Sequence, residues 1–246
     1  MKTTSELVLG MRSASEGVRT AWRSPEVRRT YASLALVLLA ITTALDVAGV
    51  WTVIAWTRVD DGTWWQIAMM VLLRLAGIAM VLLSAPVVAM FLIQALFPFL
   101  GERVFLAGMR VIAPARADEL AAAPGLPLAR SLADALLRLG IFVALTVALF
   151  VLSFVPVVGS VLGPVLQTWR SAIALAWELL DPYFDKRGLD RAAQRELLRR
   201  HQSRLLGFAL PFTFVMAIPL VGPLVFGLAQ AGIARVVVDA IDGEQA

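Results

Sequence analysis

The chain has 246 residues, of which 59% are hydrophobic and 16% charged, with a formal net charge of +4, whereas an average soluble protein is about 25% charged. So little polar surface excludes a water-soluble globular fold, and the absence of cysteine excludes disulfides, thiolate catalysis and cysteine metal sites. The basic residues lie in short segments between apolar runs, a membrane pattern that gives nucleic acid no continuous surface to bind.

In chain order, residues 5–23 set Leu7, Met11, Ala14, Val18 and Trp22 at spacings of three and four. This predicts an amphipathic helix lying on the membrane surface, within a cytoplasmic segment 1–29 that has no small-residue cleavage site and is therefore retained. Ser24-Pro25 ends it, because the residue before proline is driven out of the α region.

A transmembrane hairpin is expected over 30–100, since the runs 30–57 and 63–100 are nearly uncharged and a span needs about 20 apolar residues. Trp51, Trp56, Trp64 and Trp65 bracket the turn at 58–62 and place it at a membrane face. The second run would measure about 57 Å as one helix, far more than a bilayer core of about 30 Å, so Pro86 and Phe97-Pro98-Phe99 are its expected bends. Asp46 and Arg74 each lie 14 residues from Asp60. An antiparallel pair turning there would bring them to one depth as an intramembrane ion pair.

Residues 101–134, of mixed charge and with three prolines, read as a cytoplasmic connection. Two broken hairpins follow, at 135–184 and 205–240. The first is interrupted at Pro156 and Gly159, the second at Pro219 and Gly222, with a constant offset of 63 residues. That offset predicts two copies of one helical hairpin that partly penetrates the bilayer, its turn residues lining protein or a water-filled cavity. Between them, the basic segment 185–204 sets Arg187, Arg191, Arg195 and Arg199 four residues apart. Such a stripe faces anionic headgroups or an anion-concentrating vestibule.

Charge orients the array. Residues 1–29 hold six basic and three acidic side chains and 185–204 hold seven and three, against one and two at 58–62. Both termini, 101–134 and 185–204 are therefore expected in the cytoplasm. The fold class is an all-α integral membrane protein with two long transmembrane helices, two Pro/Gly-broken hairpins and amphipathic cytoplasmic helices. Nucleophile elbow, phosphate loop and paired metal motif are all missing, so neither enzyme activity, cofactor nor metal is expected. The lone histidine, His201, reads as a surface side chain.

The order S-P-E-V-R-R at 24–29, P-F at 98–99, F-V-P-V-V-G at 154–159, D-P-Y-F-D at 181–185, G-F at 207–208 and I-P-L-V-G at 218–222 resembles the CysZ-type sulfate permeases, relatives of the etoposide-induced membrane proteins. The resemblance implies a homo-oligomeric permease of the bacterial inner membrane that takes up sulfate or sulfite for sulfur assimilation and cysteine biosynthesis. It also implies an anion site at a Gly-hydrophobic-Arg motif, which corresponds here to Glu26-Val27-Arg28 with Arg29 beside it, Glu26 standing in for the glycine. A membrane scaffold that transports nothing is the alternative function for the same fold.

Overall fold

The computed structural model describes residues 2–58, 62–96, 98–127, 158–218 and 221–243, with isolated positions between 130 and 148. The described residues are almost entirely helical and include no strand. The helices are α1 (Lys2–Arg23), α2 (Pro25–Trp56), α3 (Trp64–Leu96), α4 (Pro98–Ile112), α5 (Pro114–Ala122), α6 (Val158–Lys186), α7 (Arg191–Arg200), α8 (Gln202–Met216), α9 (Val221–Gly232) and α10 (Ala234–Val236), followed by a π-helical turn, Val237–Asp242.

Proline and small caps set the boundaries. Pro25, Pro98 and Pro114 each open a helix, the position at which a missing N–H costs nothing. Ser24 and Asp190 cap α2 and α7 through their side-chain oxygens. Of the two expected bends, Pro98 opens a new helix, whereas Pro86 lies inside α3.

Among the described residues, three segments are long and apolar enough to cross a bilayer: Pro25–Trp56, Trp64–Ile93 and Val221–Asp242. The chain is a membrane protein, and its three candidate spans differ in surroundings. The most apolar windows of the first two are only 17% and 22% buried within the protein, but that of the third is 67% buried. The α2–α3 pair therefore shows its sides outward and carries exposed Trp51, Trp56, Trp64 and Trp65 at one end, while the α9 run threads the protein interior. Helix α8, with 15 residues, measures about 22 Å, shorter than a bilayer core of about 30 Å.

The interior has two apolar clusters. Phe105, Met109, Leu120, Leu179, Tyr183, Phe184, Phe208, Ile233 and Ile241 belong to one, drawn from α4, α5, α6, α8 and the α9 run. Ala21, Val27, Leu34, Leu38, Ala89, Ile93, Val104 and Ala231 belong to the other, where α1 to α4 meet α9.

Helix α1 enters this interior by a face that apolar periodicity identifies only in part. Of the residues spaced at three and four, Ala14 is buried, Leu7 and Val18 are half-buried, and Met11 and Trp22 are exposed, whereas Gly10, Ser13, Gly17 and Ala21 are buried as well. A Cβ on Gly10 would come within 2.1 Å of the Arg204 carbonyl oxygen, and one on Gly207 within 2.1 Å of the Leu7 carbonyl oxygen. Small residues thus bring the α1 and α8 backbones into contact, a packing device of membrane helices, and α1 is integrated with the bundle by its small side chains.

Candidate anion site at the first elbow

Helices α1 and α2 are joined through a single non-helical residue, Ser24 (φ −75°, ψ 125°). Trp22 and Tyr31 flank the elbow as an edge-to-face pair with ring centroids 5.9 Å apart. Val27 is fully buried among Ala21, Val104 and Ala231 and pins the start of α2. Glu26, Arg28 and Arg29 lie on the opposite, exposed side.

The backbone of this turn is less available than its position at a helix start suggests. The amide of Arg28 donates to the Ser24 carbonyl at 3.1 Å, and that of Val27 donates to Ser24 Oγ at 3.5 Å. Of the first amides of α2, those of Val27 and Arg28 are engaged, because the serine ahead of Pro25 acts as the cap. A ligand here would depend on side chains and on the positive end of the α2 dipole.

Glu26 is not directed at Arg29, the partner that an i,i+3 spacing allows. Its carboxylate is bound by Arg110 of α4, which also approaches Asp118 at 3.6 Å. Among the described residues Arg28 and Arg29 have no side-chain partner. The elbow thus presents two exposed guanidinium groups, and the one neighbouring carboxylate is neutralised from another helix.

The expected Asp46–Arg74 pair does not form. Arg74 donates from Nε to Thr57 Oγ1 at 3.0 Å and from Nη2 to the Thr57 carbonyl at 2.6 Å, and Asp46 Oδ1 is buried without a hydrogen-bond partner. The reason is register. Gly49 packs on Val81 and Gly77 on Val53, so α2 and α3 pass one another about Trp65 and not about Asp60. Arg74 is thereby carried to the end of α2, and Asp46 to the level of Ser84 and Ala85.

Of the hairpin turn residues, Pro156 and Pro219 fall outside the described residues, and Gly159 lies in the first turn of α6. Gly222 is defined best. Its amide donates to the Ile218 carbonyl at 2.8 Å, and a Cβ on it would come within 2.5 Å of the Met216 carbonyl oxygen, so the α8–α9 turn closes on glycine.

The arginine series is also divided. Gly188, at φ +61°, ends the preceding segment and leaves Arg187 in a turn, while Arg191, Arg195 and Arg199 belong to α7. Arg199 and Arg200 share Glu196. Helix α7 is anchored by Gln194, which accepts from Trp177 Nε1 at 2.9 Å and donates to the Leu189 carbonyl at 3.0 Å.

The sequence does not signal the contacts that hold these parts together. Asp242 of the π turn receives two hydrogen bonds from Arg116, at 2.9 and 3.0 Å, and one from the Tyr183 hydroxyl at 2.9 Å. The bond to Asp242 holds the Arg116 guanidinium above its usual pKa. Sequence separations of 126 and 59 residues put this clasp beyond local pattern reading. Among the described residues no cluster of His, Asp or Glu could hold a metal.

A stretch of 84 residues is 31% identical to the protein named Sulfate transporter CysZ in Vibrio cholerae serotype O1, strains M66-2 and El Tor Inaba N16961 alike. That stretch covers 34% of this chain and 34% of each relative, so the chain matches only about a third of their length. The profile of the family described as Sulfate transporter CysZ/Etoposide-induced protein 2.4 matches residues 13–226. A match over most of its length shows that the chain belongs to this family, whose description names a transporter and not an enzyme.

Proposed function

We propose that the protein is an anion permease of a bacterial inner membrane, importing sulfate or sulfite for cysteine biosynthesis as a homo-oligomer among lipids. In this reading 1–29, 101–134 and 185–204 are cytoplasmic, 30–100 is the transmembrane hairpin, and 135–184 and 205–240 are the two broken hairpins, which penetrate without each arm crossing. Family membership supports an inorganic anion as substrate, and the short α8 supports partial penetration.

The anion is received at the first elbow. The observation that carries this assignment is the pairing of Glu26 with Arg110, which leaves Arg28 and Arg29 available beside a helix N-terminus. Each guanidinium can donate two hydrogen bonds to a tetrahedral oxyanion, and the α2 dipole adds positive potential. Val27 holds the turn in place from the buried side.

Calorimetric titration of the purified protein with sulfate tests the site. Arg28→Ala should weaken binding by about 1.5 to 3 kcal/mol, the value of a hydrogen bond to a charged group, with expression unchanged. Glu26→Gly, which removes the acidic side chain from the elbow and frees Arg110 of its partner, should strengthen it. Unaltered affinity in both variants would remove the elbow as the site. A protein that neither binds nor conducts sulfate would favour the scaffold function.

A further inference from the structure

The first membrane-spanning helix carries two adjacent polar atoms that no group of the protein satisfies. Thr42 is 4% exposed and its Oγ1 has no hydrogen-bond partner; one turn later, Asp46 Oδ1 is closed off without one. Residues four apart share a helix face. In the same helix Thr30, Thr52 and Thr57 donate to the carbonyl four residues back, at 2.7 to 2.8 Å. Thr42 makes no such bond, so its buried oxygen is left without a partner.

Both atoms belong to the buried α2–α3 seam. The contacts of Gly49 with Val81 and of Gly77 with Val53 carry Asp46 to the level of Ser84 and Ala85 and Thr42 to that of Val88 and Ala89. Ala85 and Ala89 are buried and project no more than a methyl group toward α2. Between those levels lies Pro86, also buried and inside α3. Proline has no N–H to give the carbonyl four residues back, so the Leu82 carbonyl loses its helical donor. The basic residue of the hairpin, Arg74, is committed to Thr57 and neutralises nothing here.

We propose that Asp46, Thr42 and the Leu82 carbonyl form a site for a hard monovalent cation of the sodium class between α2 and α3. All three donors are oxygens, which select hard cations over metals that favour nitrogen or sulfur. The single carboxylate balances one positive charge. A carbonyl freed at a helix irregularity, beside an intramembrane acid, is the kind of donor set that membrane proteins use for such ions. The site is independent of the anion elbow and of the substrate carried.

The test is thermal unfolding of the purified full chain in lipid nanodiscs without sulfate, in sodium chloride and in choline chloride at equal ionic strength. Sodium should raise the melting temperature saturably. Asp46→Asn should abolish the rise, Thr42→Val should weaken the apparent affinity by roughly tenfold, as expected for one lost contact to a charge, and Thr42→Ser and Arg74→Gln should retain it. Should Asp46→Asn fail to fold, the Thr42→Val and Thr42→Ser pair decides. Identical melting of the wild type in both salts would overturn the site, including the case in which stability rises only on acidification because the carboxylate takes up a proton. A sodium response surviving in Asp46→Asn or unchanged in Thr42→Val would overturn it equally.

Discussion

At the scale of the residue, the main lesson concerns charges inside the span. Arg74 and Asp46 were legible as intramembrane charges because the surrounding runs are apolar, but their partners were not. A count from the middle of the turn assumes that both helices start there, and the Gly49–Val81 and Gly77–Val53 contacts displace that centre by several residues. Arg74 consequently bonds Thr57. Substitutions at sites without a shared partner add, so Asp46→Asn and Arg74→Gln should change thermal stability independently, within about 0.5 kcal/mol of additivity. Arg74→Gln alone should cost about 1.5 to 3 kcal/mol through its lost charge-assisted bonds. A strong coupling in the double-mutant cycle would restore the direct pair. At the elbow, the break at Ser24-Pro25 was legible, and Val27 and the arginines were singled out by the family resemblance, whereas the Glu26–Arg110 contact, 84 residues apart, was not legible.

At the scale of the element, helix boundaries were legible at Pro25 and Pro98, where proline reads as a break, whereas the starts set by Pro114 and by the Asp190 cap were not marked in advance. The buried face of α1 was legible only in part. Hydrophobic periodicity gives weight to Ala14, which is buried, but also to Met11 and Trp22, which are exposed, and none to Gly10 and Gly17, which are buried. In a membrane bundle the closest contacts belong to the smallest residues, since the gain comes from backbone approach and dispersion and not from hydrophobicity. Gly207, whose Cβ would lie 2.1 Å from the Leu7 carbonyl oxygen, is the sharpest case. Gly207→Leu should separate α1 from α8 and destabilise the protein by 3 kcal/mol or so, the upper end of overpacking costs, while Leu9→Ala on the exposed side should be close to neutral. The stability of detergent-solubilised variants on heating distinguishes the two, and a Gly207→Leu protein as stable as wild type would refute the backbone contact.

At the scale of the whole molecule, the all-helical membrane class and the family were legible from composition and from motif order across the chain. The distribution of burial among the three candidate spans was not, since apolar runs read alike whether lipid or protein surrounds them. Orientation rests on the excess of basic residues in 1–29 and 185–204. Because the chain has no native cysteine, single cysteines report it cleanly. A cysteine at Gly62 should react with an impermeant maleimide on intact spheroplasts, and one at Arg195, which is exposed on α7, should react only after lysis. Gln194 beside it is buried at 3% exposure and is unsuitable. The reverse labelling pattern would invert the protein in the membrane.

The central claim, that the elbow receives an anion which the protein then carries across the bilayer, is tested most directly by uptake of radiolabelled sulfate into liposomes containing the purified chain. Sulfate should enter faster than into empty liposomes, sulfite should compete, and the Arg28→Ala, Arg29→Ala double variant should fall toward the empty-liposome rate with its fold intact. Uptake equal to that of empty liposomes, or wild-type uptake in the double variant, would contradict the account.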